Sequence, residues 1–158
     1  MEFAAIQPGE SVVDAYCGTG TIGILAAKMQ ENATVTGVEL NADAVRDAKS
    51  NAERNHVENV EWVCADAGEY LKGAAARKEK VDVLFMDPPR SGSSPQFLKA
   101  VRGMAPKRIV YISCNPETLA RDLLYFTSTT SYKVEKIQPV DMFPHTAHVE
   151  TVVLMSKI

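Results

Sequence analysis

The stretch Ser11-Val12-Val13-Asp14-Ala15-Tyr16-Cys17-Gly18-Thr19-Gly20-Thr21-Ile22-Gly23 carries an apolar run straight into a glycine-rich turn, and then into a helical pattern. A buried strand, a tight turn and a helix in that order form the first unit of a nucleotide-binding α/β sheet. Gly18 and Gly20 let backbone approach a ligand closely, and Gly23 permits close helix–strand packing. The spacing Gly18-x-Gly20-x-x-Gly23 also satisfies the dinucleotide fingerprint. Taken alone it points to an adenosine-type cofactor without choosing among such cofactors, and a merely structural turn reads the same way.

The pattern then repeats. Strands are predicted over residues 11–16, 34–40, 60–64, 81–86 and 107–113, with helices over 21–30, 42–55, 67–78, 95–104 and 116–126. The rhythm changes after the loop predicted at 128–131. Residues 132–140 and 148–155 read as two strands joined by about seven residues, too few for the crossover helix a parallel pair needs. The reading is therefore a doubly wound, Rossmann-like α/β sheet, mostly parallel, ending in an antiparallel β-hairpin. The 158 residues make one domain. Only ten residues precede the first strand, which is normally central in such a sheet, so residues 1–158 are expected to be the catalytic domain of a longer protein.

Composition narrows the class. Apolar residues make up 46% and charged residues 23%, a globular balance, and no apolar run nears the roughly 20 residues that span a bilayer. No basic, apolar leader opens the chain. Three widely spaced cysteines without a C-x-x-C pair point to reduced thiols in the cytoplasm, not to a disulfide framework or a zinc site. The net charge of −3 means that most contacts to a nucleic-acid backbone would come from a local patch or another domain.

Chemistry-bearing residues gather at the expected carboxyl ends of the strands, where ligands bind in such sheets. Glu39 ends strand two and is placed for paired ribose hydroxyls, or else caps the next helix. Asp66 follows strand three, where it reads either as an adenine contact or as a helix N-cap. Met86-Asp87-Pro88-Pro89-Arg90 follows strand four, and two prolines there make a rigid wall for a planar base beside Asp87. Ser113-Cys114-Asn115-Pro116 follows strand five. Pro116 suits a helix start, and aligned N–H groups at that end favour a reactive thiolate, although a small buried residue closing a strand is the plain alternative. Glu150 stands among valines in the last strand, either as a desolvated general base or turned outward to solvent. His145 and His148 read as loop caps or as contacts to a phosphate or base, and no metal site is expected.

Four motifs together resemble one family, the S-adenosylmethionine-dependent RNA uridine C5-methyltransferases of rRNA and tRNA. They are Asp-x-Tyr-Cys-Gly-x-Gly at 14–20, Asp-Pro-Pro-Arg at 87–90, Ser-Cys-Asn-Pro-x-Thr-Leu-Ala-Arg-Asp at 113–122, and Asp-Met-Phe-Pro-x-Thr-x-His-Val-Glu at 141–150. The resemblance implies that Cys114 is the nucleophile and that Glu150 removes the C5 proton. It implies that Asp87 orients the base and that Tyr16, Gly18, Gly20, Thr21, Glu39, Asp66 and Asp87 contact S-adenosylmethionine. Position 21 is Thr where some members carry Asn. Arg121 is read as stabilising the thiolate or binding phosphate, or as a solvated helix residue. The implied partner is RNA, with ribosomal RNA preferred to transfer RNA, no membrane, and RNA affinity supplied largely by N-terminal modules outside this chain.

Four other readings compete. A cytosine C5-methyltransferase shares the covalent logic, but many carry a second cysteine where Arg90 follows the prolines. An adenine amino-methyltransferase would use Asp-Pro-Pro with an aromatic neighbour and would not need Cys114. An NAD-dependent oxidoreductase leaves Asp87, Cys114 and Glu150 unexplained. A truncated domain that binds cofactor without acting on RNA is the non-catalytic alternative.

Overall fold

Burial on both faces explains why the central strands are continuous apolar runs rather than alternating ones. β1 (Ser11–Ala15) and β4 (Val83–Met86) are buried at nearly every position. In the computed structural model, which describes residues 2–142, 144–146 and 148–158, seven strands and five helices follow one another. After β1 come α1 (Thr21–Met29), β2 (Thr34–Glu39), α2 (Ala42–Arg54), β3 (Val60–Cys64) and α3 (Ala67–Ala76). After β4 come α4 (Pro95–Met104), β5 (Arg108–Ser113), α5 (Pro116–Thr129), β6 (Tyr132–Val140) and β7 (Glu150–Lys157).

The strand order is β3-β2-β1-β4-β5-β7-β6. β1 to β5 are parallel, β7 pairs antiparallel with β5, and β6 pairs antiparallel with β7. On one face Val13, Leu84, Met86, Ile109, Tyr111, Val153 and Met155 pack against Leu71, Phe97, Leu98, Val101, Leu119 and Phe126 of α3, α4 and α5. On the other, Val12, Val35, Val83, Phe85 and Val110 meet Ala26 and Ala27 of α1. None of the described helices is long and apolar enough to cross a membrane.

The expected architecture is present, with differences at element ends. β1 stops at Ala15, because Tyr16 takes a left-handed backbone conformation with φ of 63°. β4 starts at Val83, and Asp82 before it turns its carboxylate to Lys80, Lys107 and the Ser11 amide. α5 runs through Ser128 and Thr129, where the sequence suggests a loop. Their hydroxyls donate to the carbonyls of Leu124 (2.6 Å) and Tyr125 (2.7 Å) one turn back, so the polar run stays helical. β7 begins at Glu150, two residues later than expected, and extends to Lys157.

Candidate active site

The register aligns the strand ends. Ala15 pairs with both Val38 and Met86, so the next residues, Tyr16, Glu39 and Asp87, emerge side by side at one edge. They line a cleft of about 430 Å³ with Val38, Leu40, Asp66, Ala67 and Pro89. The Tyr16 ring packs on Phe97 with centroids 4.9 Å apart. Burial pushes its hydroxyl up to about 12, with the negative charge of Asp66 acting in the same direction, so it stays a neutral donor.

Glu39 is held by backbone. One carboxylate oxygen accepts from Gly18 N at 3.1 Å and the other from Asn41 N at 2.9 Å. This ties the end of β2 to the glycine turn. Gly18, with φ of 53°, has open space where a Cβ would stand. Gly20 differs, since a Cβ there would lie 2.5 Å from the Trp62 indole. Its first demand is therefore core packing. Thr21 is exposed at the first position of α1 and is not among the residues lining the cleft. Asp66 caps α3, accepting from Glu69 N at 2.9 Å, as one reading of it expected, and it also lines the cleft.

Asp14 stands out although no role was assigned to it from the sequence. It is fully buried in β1, and one oxygen accepts from Gly23 N at 2.8 Å. The other has no partner among the described residues. Burial raises its carboxyl to about 7, the Gly23 bond opposes this, and Asp87 and Glu39 push it further up. A charged residue inside the apolar run of a central strand was the available signal. Together these features fit an adenosyl amino-acid cofactor. Glu39, Asp66 and Asp87 bring carboxylate acceptors to the cleft, and Asp14, fully buried and not among its lining residues, holds one oxygen without a partner among the described residues.

The chemistry end lies one strand further along. Cys114 is half-buried and unoxidised, directly after β5. The Ser113 hydroxyl accepts from Asn115 N at 3.1 Å, and the Asn115 side chain caps α5 by accepting from Glu117 N at 3.0 Å. Pro116 then occupies the first turn, as expected. Across the β5–β7 ladder Ser113 pairs with Thr151, so Cys114 and Glu150 are the next residues of the two segments at that edge. The Asp87 carboxyl is shifted upward, by desolvation first and then by the like charge of Glu150.

Arg90 donates to Nδ1 of His148 at 2.8 Å, joining the Asp87 turn to the segment before β7. The Arg121 side chain is about half exposed on the surface of α5 and is also held by the chain itself. Its guanidinium donates to Asp122 and to the carbonyls of Ser91 and Ser93. Phe143 and Ala147 of the last motif lie outside the described residues. Among the described residues no group of three His, Cys, Asp or Glu could hold a metal ion.

The sheet order and the strand-end cleft are those of the S-adenosylmethionine-dependent methyltransferase fold. The tRNA (uracil-5-)-methyltransferase family model matches residues 3–158, and the chain belongs to that family. It is 46% identical to the uncharacterized RNA methyltransferase YljE of Lactococcus lactis over 156 residues, 99% of this chain and 33% of that protein. A Bacillus cereus RNA methyltransferase is 44% identical over 158 residues, 100% of this chain and 34% of that protein. The chain thus spans about a third of the curated relatives it matches. The Pyrococcus abyssi tRNA (uracil-54, C5)-methyltransferase, solved with S-adenosyl-L-homocysteine, superposes with a TM-score of 0.80 at 36% identity, over 98% of this chain and 36% of that one. A Streptococcus thermophilus rRNA methylase, 14% identical with a TM-score of 0.76, shares the fold.

Proposed function

We propose that this domain transfers a methyl group from S-adenosylmethionine to carbon 5 of a uridine in RNA, with Cys114 as a transient covalent catalyst. The observation that carries this reading is the juxtaposition of Cys114 and Glu150 beside Asp87, one strand from the cofactor cleft. Tyr16, Gly18, Gly20, Thr21, Glu39, Asp66 and Asp87 are proposed to hold the cofactor, and Asp14 joins them through its unpaired oxygen. When bound, S-adenosylmethionine supplies an electrophilic methyl group.

Carbon 5 of uracil is a weak nucleophile. The Cys114 thiolate adds to carbon 6, forming a C–S bond and moving the ring electrons into an enolate that is rich at carbon 5. Asp87 orients the ring by hydrogen bonding. After carbon 5 has gained its methyl group, the Glu150 carboxylate takes the C5 proton. The electrons of that C–H bond re-form the C5–C6 double bond and expel the Cys114 thiolate. A ring stacked in a helix is out of reach, so the target uridine is one that is unpaired or flipped out.

Ribosomal RNA is the proposed acceptor. A transfer-RNA acceptor is the second reading, favoured by the 36% identity to a tRNA (uracil-54, C5)-methyltransferase. The test is trapping. With S-adenosylmethionine and short 5-fluorouridine RNAs copied from rRNA and tRNA loops, fluorine at carbon 5 cannot leave as a proton, and the adduct persists. A denaturation-resistant adduct mapped to Cys114 and absent in Cys114→Ala supports the reading. S-adenosylhomocysteine binding without any adduct overturns it in favour of a cofactor-binding domain.

A further inference from the structure

The loop that carries Asp87 and the helix that follows Cys114 are joined side chain by side chain. Asp122, fully buried on α5, accepts from Ser93 N and from the Tyr111 hydroxyl, both at 2.8 Å, and from Arg121 Nε at 2.8 Å. Arg121 Nη2 reaches the carbonyls of Ser91 (3.2 Å) and Ser93 (3.1 Å). Asn115 Nδ2 and the Thr118 hydroxyl both donate to the Arg90 carbonyl, at 3.2 and 3.3 Å. The fit is close. At Gly92, with φ of 75°, a Cβ would stand 2.5 Å from Arg121 Nη2 and 3.1 Å from Asp122 Oδ2. The buried Ser93 hydroxyl, which has no hydrogen-bond partner among the described residues, lies beside the hydroxyls of Tyr16 and Tyr111.

A loop needs few bonds to satisfy its backbone. Here the Arg90 carbonyl takes two side-chain donors, the Ser91 and Ser93 carbonyls share one guanidinium, and a fully desolvated carboxylate takes three donors. A buried carboxylate is expensive unless its donors are fixed, so its presence enforces one arrangement of the groups around it. Of its partners, Ser93 lies on the loop after Asp87, Tyr111 in the strand before Cys114 and Arg121 on the helix after it. Covalent addition to a ring needs both ends of that ring gripped to well under 1 Å.

We propose that Asp122, with Arg121 as its arm, is a positioning residue that sets the distance between the base-orienting carboxylate of Asp87 and the thiol of Cys114. It touches neither RNA nor cofactor. It acts through the Ser91–Ser93 backbone on one side and through the first turns of α5 on the other. The inference rests on the uridine reading for its catalytic consequence, but the strut itself is a property of the folded chain.

The test compares the full chain with Asp122→Asn and with Arg121→Gln, whose half-exposed side chain can be replaced without opening the core. Three quantities are read. These are amide exchange of segments 87–94 and 113–118, affinity for S-adenosylhomocysteine, and the rate of adduct formation with 5-fluorouridine RNA. Alkylation of buried Cys17 reports the integrity of the fold. Both variants are expected to speed exchange in the two segments, leave Cys17 protected and cofactor affinity within about twofold, and slow adduct formation by about ten- to a hundredfold. Unchanged exchange, or faster exchange with an unchanged adduct rate, overturns the proposal. So does loss of Cys17 protection together with cofactor binding in both variants, which would make the pair an ordinary part of the core. If the parent chain binds S-adenosylhomocysteine but forms no adduct, the uridine reading fails, and the exchange data alone then uphold or overturn the strut.

Discussion

Cys114 and Glu150 emerge at the same edge of the sheet because β7 runs antiparallel to β5. Ser113 and Thr151 are the last ladder pair at that edge, and Cys114 and Glu150 come next. In a parallel sheet only the ends of strands reach the ligand edge. An antiparallel insertion reverses this, so the first residue of β7 arrives beside the residue that follows β5. The proposed nucleophile and base thereby come from two segments 36 residues apart in the chain.

The two residues act at opposite ends of the reaction, and their variants should fail differently. Cys114→Ala should form no covalent complex with a uridine RNA. Glu150→Gln keeps the thiol and the shape of the site but cannot accept the C5 proton. It should therefore accumulate a denaturation-resistant RNA–protein complex on unfluorinated RNA, while turnover falls by about 10²- to 10⁴-fold. Gel shift under denaturing conditions, with mass spectrometry of the Cys114 peptide, checks this. A Glu150→Gln variant that turns over at the parent rate would remove Glu150 as the base.

Asp14 gives the protein a distinctive pH dependence. Its carboxyl is raised from near 4 to about 7, first by burial, against the Gly23 bond, with help from Asp87 and Glu39. The folded state therefore holds a proton that the unfolded chain has released over this range. For this group stability falls as pH rises from about 4 to 7, by about 1.4 kcal/mol per unit, and is flat above 7. Cofactor affinity should move the opposite way, because an ammonium pairs with the ionised form. Titration with S-adenosylhomocysteine from pH 5.5 to 8.5 should show binding tightening through about pH 7, and Asp14→Asn should flatten both profiles. A parent chain whose affinity does not vary with pH would separate Asp14 from the ligand.

The places of the strand-end carboxylates and of Cys114 were readable from sequence because they interrupt apolar runs at one phase of the repeat. Glu39 closes a strand, and Asp87 and Cys114 each follow one. The hairpin was readable from its short connection, but its order was not. Nothing local distinguishes β6 beside β5 from β7 beside β5, and the arrival of Cys114 and Glu150 at one edge depends on that choice. The struts were hidden for a related reason. Leu119, Asp122 and Phe126 share the inward face of α5, yet in the sequence Asp122 reads as one more charge beside Arg121. Only the approach of Ser93 and Tyr111 gives that carboxylate a purpose.

Trp62, the only tryptophan, lies beneath the glycine turn. A Cβ at Gly37 in β2 would stand 2.3 Å from its ring, and the ring is hemmed in on the other side by Gly20 and Gly23. Gly37→Ala should therefore destabilise the domain by about 1–3 kcal/mol through overpacking. Urea unfolding followed by Trp62 fluorescence reads both the loss and the altered ring environment. Trp62→Leu should reduce the penalty of Gly37→Ala, since the clashing partner is gone. Additive penalties in the double variant would count against the clash.

Asp66 has two uses that substitution can separate. One oxygen accepts from Glu69 N and caps α3, and the carboxylate also lines the cofactor cleft. Asn caps a helix about as well as Asp, so Asp66→Asn should leave thermal stability nearly unchanged. It replaces one acceptor with an N–H₂ group, which would face the amino group of adenine donor to donor. Affinity for S-adenosylhomocysteine should then fall by about tenfold, in line with a lost hydrogen bond and an unmet donor. Asp66→Ala removes both uses, so it should weaken binding and also lower stability by about 1 kcal/mol. Calorimetric binding and thermal melts on the two variants form the comparison. If Asp66→Asn binds as tightly as the parent while Asp66→Ala loses only stability, the residue is a helix cap alone, and the adenine end of the cleft is recognised by shape through Leu40 and Ala67 rather than by a carboxylate.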